Sequence, residues 1–368
     1  MITKIASLAY NFAYKNRGAY MNNFEKFYNK GNLNVVYLGG SITEGAGASD
    51  KSRRWSTQLT AYLNSLPLGN TVFTEINMGI GGTESTYGLL RLERDVCAYD
   101  PDIVFIDFSS NDQSISEELS AVMYEGIIRR LMALSKVPYI IGIGVVGNRP
   151  ARTRASLHKK IAAHYGIAFI DVQEGMDSLM GEADPAVNTA RNALFRPDNT
   201  HPVEKGYDFY TEYIKSKLCE ESFAKPQGDP LRTDFADFSG KFVNAEKLTR
   251  TGEWSSYGEG DWDEKNLGRG GSGLMSASGD ASLSFEFCGK AFMLCYRLGR
   301  NFGKMSVTFD GKEEIIDLYY ETDNQPVTGF SRFDLDDTTH TLVIKPLGEK
   351  NENSTAFDVK IDFVVIPK

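Results

Sequence analysis

From residue 34 to about residue 221 the chain repeats one pattern, a short apolar run followed by an amphipathic stretch. That repeat leaves few folds open. The apolar runs at 34–39, 72–77, 102–108, 139–146 and 168–172 are rich in Val, Ile and Phe, as strands buried on both faces must be. Amphipathic stretches near 53–66, 84–97, 116–134 and 152–165 separate them, and a last helix is expected over 202–221, opened by Pro202 at its first position. Strand and helix in alternation specify an α/β domain, a doubly wound parallel sheet covered on both faces.

The pattern stops after residue 221. Residues 222–233 (S-F-A-K-P-Q-G-D-P-L-R-T) hold two prolines and a glycine and read as a linker. Short alternating segments follow at 281–287, 291–298, 305–309, 341–346 and 357–367, punctuated by Gly and Asp turns. They predict an antiparallel β-sandwich over 234–368, of the jelly-roll, carbohydrate-binding-module-like kind. A length of 368 residues suits two domains, with residues 1–33 as an N-terminal helical extension.

Charge narrows the partners. The net formal charge is −9, with 23 Lys+Arg against 25 Asp+Glu before residue 223 and 17 against 24 after it. This balance disfavours nucleic acid and anionic membrane surfaces, and fits a neutral or weakly charged substrate. The N-terminus lacks the apolar stretch and cleavage site of a signal peptide, and no run of about 18 apolar residues occurs, so a cytoplasmic location is expected. Cys97, Cys219, Cys288 and Cys295 show no metal-type spacing; Cys288 and Cys295 are expected to be small buried hydrophobes. Neither metal nor cofactor is expected.

Four segments carry chemistry. After the first strand comes L-G-G-S-I-T-E-G, which places Ser41 where a buried strand hands over to a helix and surrounds it with small residues. Read alone, Gly-Gly-Ser is also an ordinary turn. After the second strand, N-M-G-I-G-G (77–82) offers backbone N–H groups to an anion. After the third, F-S-S-N-D puts Asn111, a side-chain amide donor, at the same sheet edge. After the fifth, R-P-D-N-T-H-P holds Asp198 three residues before His201, a separation that lets the carboxylate orient the imidazole. In the flavodoxin-like strand order 2-1-3-4-5 the first and third strands are neighbours, so Ser41 and Asn111 face one crevice.

Residues 40–43 (G-S-I-T), Gly82, the S-N-D ending at Asp112 and the D-x-x-H from Asp198 to His201 resemble, in order, the four motif blocks of the SGNH (GDSL-like) hydrolases. The resemblance spans about residues 34–210. It implies Ser41 as nucleophile, the Ser41 N–H with Gly82 and Asn111 as oxyanion hole, and Asp198 with His201 as the base. Two positions depart from the family's pattern: Gly40 stands where Gly-Asp-Ser has its Asp, and Ser109 replaces the glycine of G-x-N-D. G-G-S-I-T chains with an appended β-sandwich are similar to carbohydrate esterases that remove acetyl groups from plant polysaccharides, such as the mannan-active family 17.

Other features are read as structural. His158, His164 and His340 have no catalytic spacing, and G-I-G-V-V-G (142–147) lies inside the fourth strand, where it marks close packing. Glu44 and Asp112 neighbour the site as capping residues. In the second domain Trp254, Tyr257 and Trp262 lie in a Gly/Asp-rich stretch, either as sugar-stacking faces or as core. The expected function is a metal-independent serine esterase that removes O-acetyl groups from plant-type oligosaccharides, with β-mannan first among them. A lipid-directed esterase or thioesterase and a non-catalytic carbohydrate-binding protein stay open as alternatives. So does a homo-oligomer joined through the sandwich.

Overall fold

The computed structural model describes residues 23–145, 147–148, 154–184, 186–220, 224–231, 241–257, 273–321, 324–333 and 335–366. The chain divides into two compact units, residues 1–236 and 237–368.

In the first unit, β1 (Asn32–Gly39), β2 (Val72–Gly79), β3 (Ile103–Asp107), β4 (Tyr139–Gly144) and β5 (Ala168–Asp171) form one sheet in the order β2-β1-β3-β4-β5. Every pairing is parallel. The reason is visible in β1, where Val35, Val36, Tyr37 and Leu38 are fully buried, as a central strand with helices on both faces requires. One face carries a continuous core in which Tyr37, Trp55 and Phe105 pack edge-on or stacked, joined by Leu59, Ile141 and Tyr210. The pairing aligns Gly39 with Gly79 on one side and with Asp107 on the other. The strands β2, β1 and β3 therefore end level, and the segments that follow them leave from one edge.

Several sequence expectations shift. The stretch expected as one helix at 84–97 is two short helices, Ser85–Leu90 and Leu92–Asp95, and the last helix spans Glu204–Glu220. Pro202 therefore does not open that helix; it forms an antiparallel bridge with Phe195, because the backbone at 194–196 pairs with 201–203. Of the expected extension, residues 1–22 lie outside the described residues, Phe24 and Phe27 are buried in the first unit's core, and β1 already begins at Asn32. Of the expected linker, 224–231 is described and is fastened to the same unit: the Gln227 N–H donates to the Tyr165 carbonyl at 3.0 Å and the Leu231 N–H to Glu125 Oε1 at 2.7 Å.

The second unit is an antiparallel sandwich. One sheet runs β13 (Lys312–Asp317), β12 (Gly303–Phe309), β15 (Thr339–Lys350), β10 (Ser282–Cys288), β7 (Thr249–Thr251). The other runs β14 (Gln325–Arg332), β11 (Phe292–Leu298), β16 (Val359–Ile366), β9 (Gly273–Ser276), β8 (Ser255–Tyr257), with β6 (Lys241–Asn244) also paired to β16. Leu283, Phe292, Leu294, Val307, Ile344 and Ile361 fill the space between them. Cys295 is buried as expected, whereas Cys288 is exposed: it ends β10 on the outward phase of the strand's alternation.

Candidate active site

The turn after β1 begins a single helical turn, Ser41–Glu44. It is pinned from below: Thr43 Oγ1 donates to Asp107 Oδ2 at 2.7 Å, and Asn77 Nδ2 donates to the Thr43 carbonyl at 2.7 Å. The hydroxyl of Ser41 lies 2.9 Å from His201 Nε2, and His201 Nδ1 lies 2.9 Å from Asp198 Oδ2. The second carboxylate oxygen, Asp198 Oδ1, accepts the backbone N–H of Thr200 at 2.8 Å and of His201 at 2.9 Å. Burial works to raise the Asp198 pKa, but the His201 and Thr200 hydrogen bonds outweigh it and hold the carboxyl at about 2. Asp198 is thus ionised and aimed, which fixes the imidazole with its Nδ1 protonated and its Nε2 lone pair toward Ser41. Such a chain can draw a proton from a serine hydroxyl and hold it on the ring.

The imidazole owes its position to backbone pairing. Arg196 N–H donates to the His201 carbonyl at 2.9 Å and Val203 N–H to the Leu194 carbonyl at 2.9 Å, so 196–201 is a closed loop standing on buried Leu194 and Phe195.

Gly40 explains its own sequence. A Cβ there would stand 2.5 Å from Asn111 Oδ1, so the amide of Asn111 rests where a side chain at position 40 would begin. Gly82 takes φ +73°, a left-handed conformation that few side chains tolerate. Asn111 starts the short turn Asn111–Ser114 directly after β3. Ser41, the Gly81–Gly82 turn and Asn111 are thereby brought to one edge.

Beneath these groups lies a buried polar layer that sequence reasoning did not find. Asp112 is fully buried and its carboxylate accepts the Ser85 N–H and hydroxyl, both at 2.7 Å, and the Ser120 hydroxyl at 2.7 Å; His158 Nε2 lies 3.1 Å from it. His158 stacks on Tyr124 at 3.9 Å, the structural role expected of it. Asp107 is also buried; burial and the neighbouring Asp112 carboxylate push its pKa up to about 7 against the pull of the Thr43 hydroxyl. Arg91, equally buried, pairs with Asp95 at 2.8 Å and reaches the Gly39 carbonyl at 3.1 Å. The one visible hint was a carboxylate closing each otherwise apolar segment, I-V-F-I-D and S-S-N-D. In the fourth strand, Gly142 packs against Phe169 and Tyr124, the close packing expected of it.

Residues 37–209 match the sequence profile of the GDSL-like Lipase/Acylhydrolase family. The first unit carries a GDSL-like acylhydrolase domain. With that family and the Ser41–His201–Asp198 geometry together, the chain is a carboxylic ester hydrolase. No curated protein matches it. Two solved structures are similar over nearly the full length. One, a two-domain esterase active on acetylated mannans, is 21% identical with a TM-score of 0.75, covering 92% of this chain and 91% of that one. The other, the same kind of esterase co-crystallised with mannopentaose, is 21% identical with a TM-score of 0.78, covering 95% and 94%. The likeness establishes that the acylhydrolase domain and the sandwich occur together as a two-domain fold.

The aromatic candidates of the sandwich sit as follows. Trp254 packs against the sandwich core, and its indole N–H donates to the Thr251 carbonyl at 3.2 Å. The Tyr257 hydroxyl bonds to Asp362 and its ring lies 5.0 Å from the Lys360 ammonium; burial and the Asp362 carboxylate push its pKa up. Both rings are engaged by the sandwich itself. Trp262 lies outside the described residues. Among the described residues no helix is long and apolar enough to cross a membrane.

Proposed function

We propose that the chain is an O-acetyl esterase that removes acetyl groups from plant-type oligosaccharides, β-mannan fragments first among them, through an acyl-enzyme. The observation that carries this reading is the continuous hydrogen-bonded line from Ser41 through His201 to Asp198, at 2.9 Å and 2.9 Å, beside the Gly82 and Asn111 segments. Ser41 Oγ forms the bond to the acetyl carbonyl carbon while its proton passes to His201 Nε2. Negative charge gathers on the carbonyl oxygen, where the N–H groups of Ser41 and Gly82 and the Asn111 amide stabilise it. The sugar oxygen leaves with the proton from His201. Water then adds to the acyl-enzyme, giving a proton to the same nitrogen, and acetate departs as Ser41 regains its hydrogen.

The sugar assignment is supported by the likeness of both units, over more than nine-tenths of each chain, to an esterase active on acetylated mannans and crystallised with mannopentaose. Small residues framing Ser41 suit a short acyl group. The test is mass spectrometry of acetylated mannan, xylan and pectin oligosaccharides after incubation with the enzyme. Stepwise loss of acetyl groups from the mannan set is expected. Intact sugars alongside rapid hydrolysis of long-chain acyl esters would replace this reading with a lipid-directed one.

A further inference from the structure

Glu44 closes the helical turn that Ser41 opens, and its backbone N–H returns to the Gly40 carbonyl at 3.0 Å. Its side chain is buried. Glu44 Oε2 accepts the N–H of Gly81 at 3.0 Å, across from the nucleophile segment to the turn after β2. The site of that bond is close to the chemistry: a Cβ at Gly81 would stand 3.0 Å from Glu44 Oε2 and 3.5 Å from Ser41 Cβ. The turn is also held by the Ile80 N–H on the Gly39 carbonyl at 3.0 Å and by the Thr83 hydroxyl on the Ile80 carbonyl at 2.8 Å. The bond to Glu44 joins the Ser41 helical turn to the Ile80–Gly81 peptide, the one before the peptide that carries the Gly82 N–H.

We infer that Glu44 is a positioning residue for the oxyanion hole, fixing the Gly81 peptide so that the next N–H, that of Gly82, aims at the reacting carbonyl. The inference rests on the acyl-enzyme reading above. The direction of the Gly82 N–H is set by the torsions at Gly81, which has no side chain to restrict them, so backbone preference alone leaves that direction broad. The carboxylate supplies the direction, and an ionised acceptor makes a stronger bond to a backbone N–H than a neutral one. Its negative charge gives nothing to the oxyanion itself, since like charges repel. The role is therefore geometric, and an uncharged acceptor of the same length should largely replace it.

The experiment compares Glu44→Ala, Glu44→Gln and Ser41→Ala on 4-nitrophenyl acetate, with thermal melts of each. Glu44→Ala should lower kcat about 10–100-fold, the range for a misaimed oxyanion donor, with KM within about twofold. Glu44→Gln should recover most of that loss. A boronic acid that forms a tetrahedral adduct on Ser41 should lose affinity for the Ala variant in step with kcat, while KM stays. Wild-type kcat in a folded Glu44→Ala protein overturns the inference, and so does equal loss in Ala and Gln variants, which would assign the effect to charge. If Glu44→Ala melts early, the Gln variant and the boronate affinity still decide between position and charge. Activity in Ser41→Ala would instead overturn the acyl-enzyme reading, so the two failures are told apart.

Discussion

The two units bury charge differently. In the acylhydrolase unit Arg91, Asp107, Asp112 and His158 are all fully or nearly buried, and all lie at the end of the sheet where Ser41 emerges. In the sandwich the buried Arg297 and Asp362 meet on adjacent strands β11 and β16, with Nε–Oδ2 at 2.7 Å and Arg297 Nη1 also donating to the Asn324 carbonyl at 3.0 Å. The first arrangement fixes loops; the second fixes strands. Polar burial is expensive wherever it occurs, and its location shows which part of each unit must not move. In one unit that part is the sheet edge where the proposed reaction takes place, and in the other it is the register of a sheet.

The comparison breaks outright if the first unit's edge does no chemistry. Ser41→Ala should lower kcat on 4-nitrophenyl acetate by at least about 10⁴-fold, with the melting curve unchanged. Near wild-type turnover in the folded variant would refute it.

The sandwich half is sharpened by Arg297→Met. Leaving Asp362 buried without its partner should destabilise that unit by about 3–5 kcal/mol in chemical denaturation, whereas Arg297→Met with Asp362→Leu should recover most of the loss. An equal loss in single and double variants would mean the pair is not what holds β11 against β16.

The smallest effect concerns Asp107. Its folded pKa of about 7 lies above the 3.8 of an unperturbed aspartate, so the folded protein holds a proton that the unfolded chain has released. Stability is therefore fully present below about pH 4 and declines as the pH rises toward 7. The decline should amount to about 2–3 kcal/mol between pH 5 and 8 and should vanish from the pH dependence in Asp107→Asn. An unaltered slope in the Asn variant would assign the titration to another group.

The strands of the first unit were legible because a strand buried on both faces must be an unbroken apolar run, and V-V-Y-L or I-V-F-I admits little else. The four site segments were legible because each is a short local string at a strand end. What escaped was non-local. Nothing near Pro202 announces its bridge to Phe195, and Thr43 and Asp107 are 64 positions apart. The strand β13, K-E-E-I-I-D, escaped for another reason: it lies at the edge of its sheet and is mostly exposed, so no apolar alternation is imposed on it. Asp112 was legible as a capping residue, and it accepts the N–H of Ser85 at the start of the helix Ser85–Leu90. That this helix lies 27 positions away, and that Ser120 and His158 from two further helices join it, was not legible.

The bridge between Phe195 and Pro202 has a further consequence. Because the six residues 196–201 are tied at their base to buried core and at their tip by the Asn148 N–H on the Asn199 carbonyl at 2.8 Å, His201 does not inherit its position from the chain that leads up to it. Exposed Val187 can change while the imidazole stays where it is, whereas the helix Val172–Met180 cannot move freely, because Val172 and Met176 are core and Asp177 pairs with buried Arg191. Substitution at exposed Val187 should therefore leave the 2.9 Å approach of His201 Nε2 to Ser41 Oγ unchanged.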